Sequence, residues 1–480
     1  MKVAIVSFEV YPLAKVGGLA DVAGALPKAL KKKGVDVSVF MPFHKKVKEN
    51  AEKLGLSVEN VFGEFELDLE TNEKASLYKT NLPGTDIPVY LVANERYFSS
   101  EDVYGAPDGA EQAIFFTKGV LESIKKMNAH FDVIHANDWQ TGLLPVYLKT
   151  IYQSDPTFSG TATLYTIHNL GYQGVFDKTY LNFAKLPGYV FNVDGIEFYG
   201  QINFMKGGIL FSNIVSTVSP TYAEEIKTPE YGEKLEGVLQ SKSDVLYGVL
   251  NGIDYEENDP ASDKRITYHY SVDDLEGKWK DKEELQKETG LKVNRDVALI
   301  GLVSRLVDQK GLDLVNEIMR YVMGCEAQFV LLGTGDSKYE RSFSELAKEF
   351  PGKVGVKIGF DITLAQRIYA GADFFLMPSR YEPCGLGQMY SLRYGTVPIV
   401  RYTGGLADTV VEFDGNKGNG FGFKNYDPAY LGYAIMRALY HYHKPEDMRK
   451  LIYNAMTTDL SWERSAGEYL KIYDLAVRNR

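Results

Sequence analysis

Cysteine is nearly absent, with Cys325 and Cys384 the only two in 480 residues. That excludes a disulfide framework in a chain of this size, gives no metal-ligand spacing, and points to a reducing cytoplasm. Long apolar runs are missing as well. None approaches the roughly 18 residues of a membrane span, and the opening MKVAIVSFEV meets Glu9 too early for the apolar part of a secretory signal. The sequence therefore predicts a soluble cytoplasmic protein with no membrane partner. Positive charge is in deficit: 53 Lys and Arg against 64 Asp and Glu leave a formal charge of −11. Such a balance argues against nonspecific nucleic-acid binding, while leaving room for a local basic pocket that holds a phosphate. Two glycine fingerprints are also missing, G-x-G-x-x-G and G-x-x-x-x-G-K-[ST], so neither a Rossmann dehydrogenase nor a P-loop NTPase is supported.

What is present is an ordinary globular composition, 45% hydrophobic and 24% charged, with 33 tyrosines that suit ring stacking on sugar faces. The length suggests two large domains. Val3 to Ser7 reads as a strand and Leu19 to Lys32 as a helix, with the loop Lys15-Val16-Gly17-Gly18 between them and a second strand at Val35 to Met41. This is a parallel βαβ opening. Gly17 and Gly18 would let backbone N–H groups approach a phosphate beside the Lys15 charge; a solvated loop lysine explains the same residues. Phe62 to Val92 reads as a strand excursion, Asn94 to Gly109 as loop and Gln112 to Met127 as helix. Strands at Asp132 to Ile134 and Thr163 to Ile167 lead into His135-Ala136-Asn137-Asp138-Trp139 and His168-Asn169-Leu170, delivering two histidines to one sheet edge, where open α/β sheets bind ligands. Either histidine could equally be a hydrogen-bonded structural residue. A second doubly wound unit starts at Leu299 to Val303, with Ser304 to Gly311 as its first loop and further strands at Gln328 to Leu332, Val354 to Ile358 and Phe374 to Met377. The predicted domains are residues 1–245, residues 246–460 and a final helix, 461–480, returning to the first.

The stretch Phe374 to Gly405 organises the second half, as strand, Pro-Ser-Arg break, helix from Gly387 to Tyr394 and strand from Thr396 to Arg401. Backbone N–H groups around Cys384 to Gly387 favour an anion at the strand's carboxyl end. Glu382, on the rim of that turn, would repel an anion and is better suited to accept hydrogen bonds from sugar hydroxyls; a helix-capping carboxylate is the other reading. Cys384, at a predicted helix start beside cations, is expected to be the more reactive of the two thiols, unless it is simply buried.

Taken together, Lys15 to Val22, Asp138-Trp139, His168 to Leu170, Leu250 to Asp254, Ser304-Arg305 through Lys310-Gly311, Arg380 to Leu386 and Thr403 to Leu406 resemble the bacterial glycogen and starch synthases over nearly the whole chain. The resemblance implies an α/β GT-B fold: two facing Rossmann-like domains, an acceptor-side and a nucleotide-sugar side, with a cleft between them. It implies a retaining glucosyltransferase that moves glucose from ADP-glucose or UDP-glucose to the 4-hydroxyl of an α-1,4-glucan, with no cofactor. Arg305 and Lys310, assisted by Lys15 and the Gly18 amide, would meet the diphosphate charge without a metal, consistent with the absence of any Asp-x-Asp. Glu382 would hold glucose hydroxyls, helped by Cys384, Gly385, Leu386 and Gly387, and His168 would sit by the reacting carbon. Asp138, Asn251, Ser304 and Phe360 complete the donor set, and Tyr97, Trp139 and Tyr172 would face the acceptor. Two positions depart from the family pattern: Tyr390 stands where many retaining GT-B enzymes have the second glutamate of Glu-x7-Glu, and Gly387 where a threonine is common. A noncatalytic sugar-nucleotide or glucan binder of the same fold, and a transferase with a small-sugar acceptor, are the alternative readings.

Overall fold

The computed structural model describes residues 1–104 and 109–480. Part of the loop expected over Asn94 to Gly109 lies outside these residues; inside it, Glu95–Phe98 forms one helical turn capped by Asn94, whose side chain accepts from the Arg96 and Tyr97 amides. The chain divides into two compact units, Met1–Gly252 with Trp462–Arg480, and Ile253–Ser461.

In the first unit the alternation of apolar runs and amphipathic segments produces strands β1 (Lys2–Val6), β2 (Asp36–Pro42), β3 (Glu59–Leu67), β4 (Glu73–Asn81), β5 (Pro88–Ala93), β6 (Val133–Asn137) and β7 (Ala162–Ile167). They are followed by β8 (Val175–Phe176), β9 (Glu197–Phe198), β10 (Gln201–Asn203), β11 (Ile214–Thr217) and β12 (Leu246–Gly248). Nine of these make one sheet in the order β12-β11-β7-β6-β1-β2-β5-β4-β3. The strands from β12 to β5 run parallel, and β4 turns antiparallel between β5 and β3. The helix Gly18–Lys32 lays Val22, Leu26 and Leu30 on Val3 and Ile5 of β1, and the helix Trp462–Arg478 closes the same core with Trp462, Tyr469 and Tyr473.

Two features differ from the sequence reading. Residues 246–252 were expected to open the second domain, yet β12 pairs with β11 from Val215↔Leu246 to Thr217↔Gly248, because that ladder satisfies its backbone groups. The Tyr-, Phe- and Gly-rich stretch after Tyr172 carries no strand pattern in the sequence, and it contains the small antiparallel sheet β8-β10-β9; strands of two and three residues are too short to show a period.

The second unit is a six-stranded parallel sheet of β13 (Ala298–Leu306), β14 (Ala327–Gly335), β15 (Val354–Ile358), β16 (Phe374–Met377), β17 (Val397–Arg401) and β18 (Phe421–Phe423), ordered β15-β14-β13-β16-β17-β18. The strand order reverses between β13 and β16, so a crevice opens at the carboxyl ends of those two strands, where doubly wound sheets bind ligands. β13 runs three residues further than its apolar stretch. Ser304, Arg305 and Leu306 pair with Gly333, Thr334 and Gly335, so Ser304 and Arg305 lie on a strand end rather than in a loop. Beneath the crevice, Lys278 sits fully inside the core. Its ammonium donates to the carbonyls of Ala370 (2.8 Å), Ala372 (3.0 Å) and Tyr394 (3.1 Å) and to Thr396 Oγ1 (2.8 Å), tying helix ends to the sheet.

Candidate active site

At the crevice in the second unit, β13 contributes Leu302 to Arg305 and the end of β16 contributes Leu376 to Ser379 to the wall of a cavity of about 230 Å³, completed by Lys310, Tyr369, Glu382, Leu386 and Gly387. Two loops meet there. The Arg380 amide donates to the Gln309 carbonyl at 2.9 Å, and Gln309 Nε2 donates to the Tyr381 carbonyl at 3.3 Å. Gly311 makes the approach possible: its φ is +69°, and a Cβ there would lie 2.0 Å from the Pro378 carbonyl oxygen. The crossing delivers Lys310 to Glu382, with Nζ 2.7 Å from Oε2, and Ser379 Oγ donates to the same oxygen at 3.0 Å. The sequence argument that Glu382 would repel an anion is thereby modified, because its charge is already met by Lys310. Arg305 lines the same cavity, is exposed, and makes no ion pair among the described residues.

The Glu382 loop is fixed from two further sides, by Arg401 and by Gly404 of the Thr403 to Leu406 stretch. Arg401 donates to the Arg380 carbonyl at 2.5 Å. A Cβ at Gly404 (φ +44°) would lie 1.9 Å from the Glu382 carbonyl oxygen, so only glycine lets that segment pass. The departure at Gly387 also has a packing reason. A Cβ there would stand 3.0 Å from Phe375 Cε1 and 3.2 Å from Met377 Sδ, leaving little room for a threonine. Ser304 Oγ donates to the Arg305 carbonyl at 3.0 Å, and Phe360, just past β15, is largely exposed.

Cys384 is buried while Cys325 is half-buried. The expected order of thiol reactivity is therefore reversed, since burial removes reagent access. Under native conditions iodoacetamide should label Cys325 first; peptide mapping that finds Cys384 labelled first would refute this.

In the first unit the strand order reverses around β1, and the candidate residues gather beyond β1, β6 and β7. Glu9, which the sequence reading passed over, accepts from the Val16 amide and from the Gly17 amide (2.9 Å), and takes the Tyr104 hydroxyl on its other oxygen. It thus holds the glycine loop in shape ahead of the Gly18 helix. Lys15 pairs with Asp21 at 2.6 Å and lies 5.2 Å from the Tyr11 ring centre.

Asn137 Nδ2 donates to the carbonyls of Val6 and His135, both at 3.2 Å, which leaves its Oδ1 to accept from His168 Nε2 at 2.9 Å. With Nε2 protonated, neutral His168 presents a bare Nδ1. Burial pushes the ring's pKa down to about 3, so it is uncharged near neutrality and can accept a hydroxyl proton in a hydrogen bond but cannot serve as a cation. Asp138, held at φ +58°, accepts the His168 amide at 2.8 Å. Burial of its carboxyl drives its pKa up to about 7, against the pull of the His168 and Asn169 amides. His135 stands apart from the site: it is buried within β6 between Tyr473 Oη (2.9 Å) and Thr166 Oγ1 (2.6 Å), a structural residue.

The three aromatic residues expected to face an acceptor divide. Tyr172 is exposed. Trp139 is half-buried, with Phe176 and Phe204 against its ring at 5.5 and 6.4 Å. Tyr97 is a correction: its ring is buried 4.7 Å from that of Phe115 and its hydroxyl donates to Glu73 at 3.0 Å, so no face is left for a sugar. Asn251 is buried with Oδ1 lacking a partner among the described residues.

Residues 2–241 match the starch synthase catalytic domain family and residues 281–457 match glycosyl transferases group 1. The chain is 60% identical over 484 residues to the glycogen synthase of Thermosipho africanus and 59% identical over 484 residues to that of Pseudothermotoga lettingae, each alignment covering 100% of both chains. Among solved structures, the catalytic domain of starch synthase IV from Arabidopsis thaliana, bound to ADP and acarbose, superposes with a TM-score of 0.91 at 32% identity, covering 99% of each chain.

Proposed function

This chain belongs to the glycogen and starch synthase family of GT-B glucosyltransferases, and from that membership we propose that it transfers glucose from ADP-glucose or UDP-glucose to the non-reducing 4-hydroxyl of an α-1,4-glucan with retention of configuration. The observation that carries the reading is the cavity at the β13/β16 reversal, which sets Arg305, a guanidinium with no ion pair among the described residues, beside the Lys310–Glu382 pair. Cations suit a diphosphate; a carboxylate already neutralised by Lys310 suits the hydroxyls of the sugar attached to it. The relative's ADP and acarbose support a nucleotide and an oligosaccharide as the ligands.

In this scheme Arg305 and Lys310 stabilise the charge that grows on the departing nucleotide. Glu382 orients the glucose, with the backbone of Cys384 to Gly387 beside it and Ser304 and Phe360 at the nucleotide end. In the first unit Lys15 and the Gly18 amide are assigned to donor phosphate, Asp138 and Asn251 to donor sugar or phosphate, and Trp139 and Tyr172 to the acceptor. Neutral His168 accepts a hydrogen bond from a sugar hydroxyl near the reacting carbon. The acceptor's 4-hydroxyl attacks from the face the nucleotide leaves, and the leaving phosphate takes its proton.

The test is incubation with glycogen and each nucleotide-glucose, scoring labelled glucose in polymer and the anomer formed. Incorporation as α-1,4-linked glucose, undiminished by EDTA because side chains meet the leaving charge, is expected. No incorporation from either donor would overturn the reading; loss in EDTA restored by magnesium would overturn the role given to Arg305 and Lys310.

A further inference from the structure

The helix Pro428–Tyr442 buries Leu431, Ala434, Ile435, Ala438 and Leu439. Its outer face, where an amphipathic helix ordinarily places charge, carries Tyr433, Met436 and Tyr440 at intervals of three and four residues, 69%, 49% and 60% exposed. The stripe widens onto a second helix. At Gly432 a Cβ would stand 3.1 Å from Ile318 Cδ1 of the helix Leu312–Val322, and Tyr321, one turn beyond Ile318, is 77% exposed. Tyr430 adds a ring 47% exposed. The hydroxyls of these four tyrosines make no hydrogen bond among the described residues.

We propose that this aromatic stripe is a second glucan-binding surface, made of residues none of which lines the candidate active site, that holds an α-1,4-glucan chain while its end is extended elsewhere on the molecule. The proposal rests on the glucan acceptor proposed above. Three observations select this occupant. The flanking cations are engaged within the chain, Arg437 with Glu412 at 2.9 Å and Lys444 over one face of the Tyr440 ring at 3.8 Å from its centre and 3.9 Å from Asp447, so neither stands alone as a site for a phosphate or an acidic partner, and Tyr440 offers its other face. The exposed groups are phenol rings with idle hydroxyls plus one thioether, rather than Leu, Ile or Phe; an apolar ring face with a polar rim complements the C–H face and hydroxyls of a pyranose. The stripe exposes about 600 Å² in all, short of the roughly 800 Å² per partner of a stable protein interface. At about 1.5 Å per residue, Tyr433 and Tyr440 stand about 10 Å apart along the helix, a span that a short run of sugar units can bridge.

The test is the double variant Tyr433→Ala/Tyr440→Ala beside Tyr433→Phe/Tyr440→Phe, with glycogen affinity read by retardation in native gels and transfer assayed on glycogen and on maltotetraose. The alanine variant should bind glycogen roughly tenfold more weakly and show a matching rise in glycogen KM, with kcat on maltotetraose and the melting temperature unchanged, while the phenylalanine variant keeps most of the affinity. Unchanged glycogen affinity, or an equal loss on maltotetraose, would overturn the proposal. So would a parent protein that sediments as a dimer and dissociates in the alanine variant, which would assign the stripe to a second copy. Parent protein that binds glycogen through the stripe yet transfers no glucose from either donor would leave this surface standing and overturn the transfer reading alone.

Discussion

Arg305→Ala and Lys310→Ala are each expected to lower kcat by about 10² to 10³, equivalent to about 3 to 4 kcal/mol of transition-state stabilisation, with a smaller rise in donor KM. The asymmetry follows from where charge appears. The diphosphate is already anionic when bound, so some affinity is lost in the ground state, but charge on the bridging oxygen grows only as the bond to glucose breaks. The two variants should differ in stability. Arg305 is exposed and makes no ion pair among the described residues, so its removal should leave the melting temperature where it was. Lys310 is the ionic partner of the nearly buried Glu382, and its loss leaves that carboxylate to Ser379 alone among the contacts described, at a cost of about 1 to 3 kcal/mol. Steady-state kinetics with glycogen in excess, beside thermal melts, separates the two effects. A kcat within a few-fold of the parent for Arg305→Ala would remove that guanidinium from the chemistry.

Acidification should open the first unit well before the second. Burial holds His44 at a pKa of about 4 and His135 and His168 at about 3, and all three belong to the first unit. A histidine whose folded pKa lies below its unfolded value of 6.5 contributes stability that is present above 6.5 and is lost as pH falls toward the folded value. Each such ring removes about 1.4 kcal/mol per pH unit across that window. His44 illustrates the cost, since its Nε2 is buried without a partner among the described residues and a proton there would have no acceptor. Asp138 opposes the trend: its pKa is raised to about 7, so it adds stability as pH falls from 7 toward the unfolded carboxylate value, but it is one group against three. In the second unit Asp281, raised to about 6 by burial, likewise adds stability as pH falls. Lys278, lowered to about 7, loses its contribution between 10.5 and 7 and changes nothing below that. Hydrogen exchange at pH 7 and pH 5 should therefore show protection lost first in β1, β6 and β7. Equal protection at both pH values, or loss that begins in β13 to β17, would contradict the burial assigned to these histidines.

Sequence alone determined the two doubly wound halves, most of their strands, and the positions at which polar residues leave strand ends. β15 and β16 fall where the apolar runs Val354 to Ile358 and Phe374 to Met377 placed them. Such features are local: alternation and helical spacing act between residues a few positions apart, and the motifs that mark the family are short. What only the tertiary structure decided involves partners far apart in the chain. The pairing of Lys310 with Glu382 spans 72 residues, and the tautomer of His168 depends on Asn137, 31 residues earlier. Tyr97 and Cys384 carry no sequence mark distinguishing an exposed ring or reactive thiol from a buried one, because burial is set by whatever packs above them. Tyr433, Met436 and Tyr440 are the converse case. Their spacing is that of a core-facing stripe, and only the packing of Leu431, Ile435 and Leu439 on the sheet turned it outward, since a helix has one face to bury and the more apolar one wins.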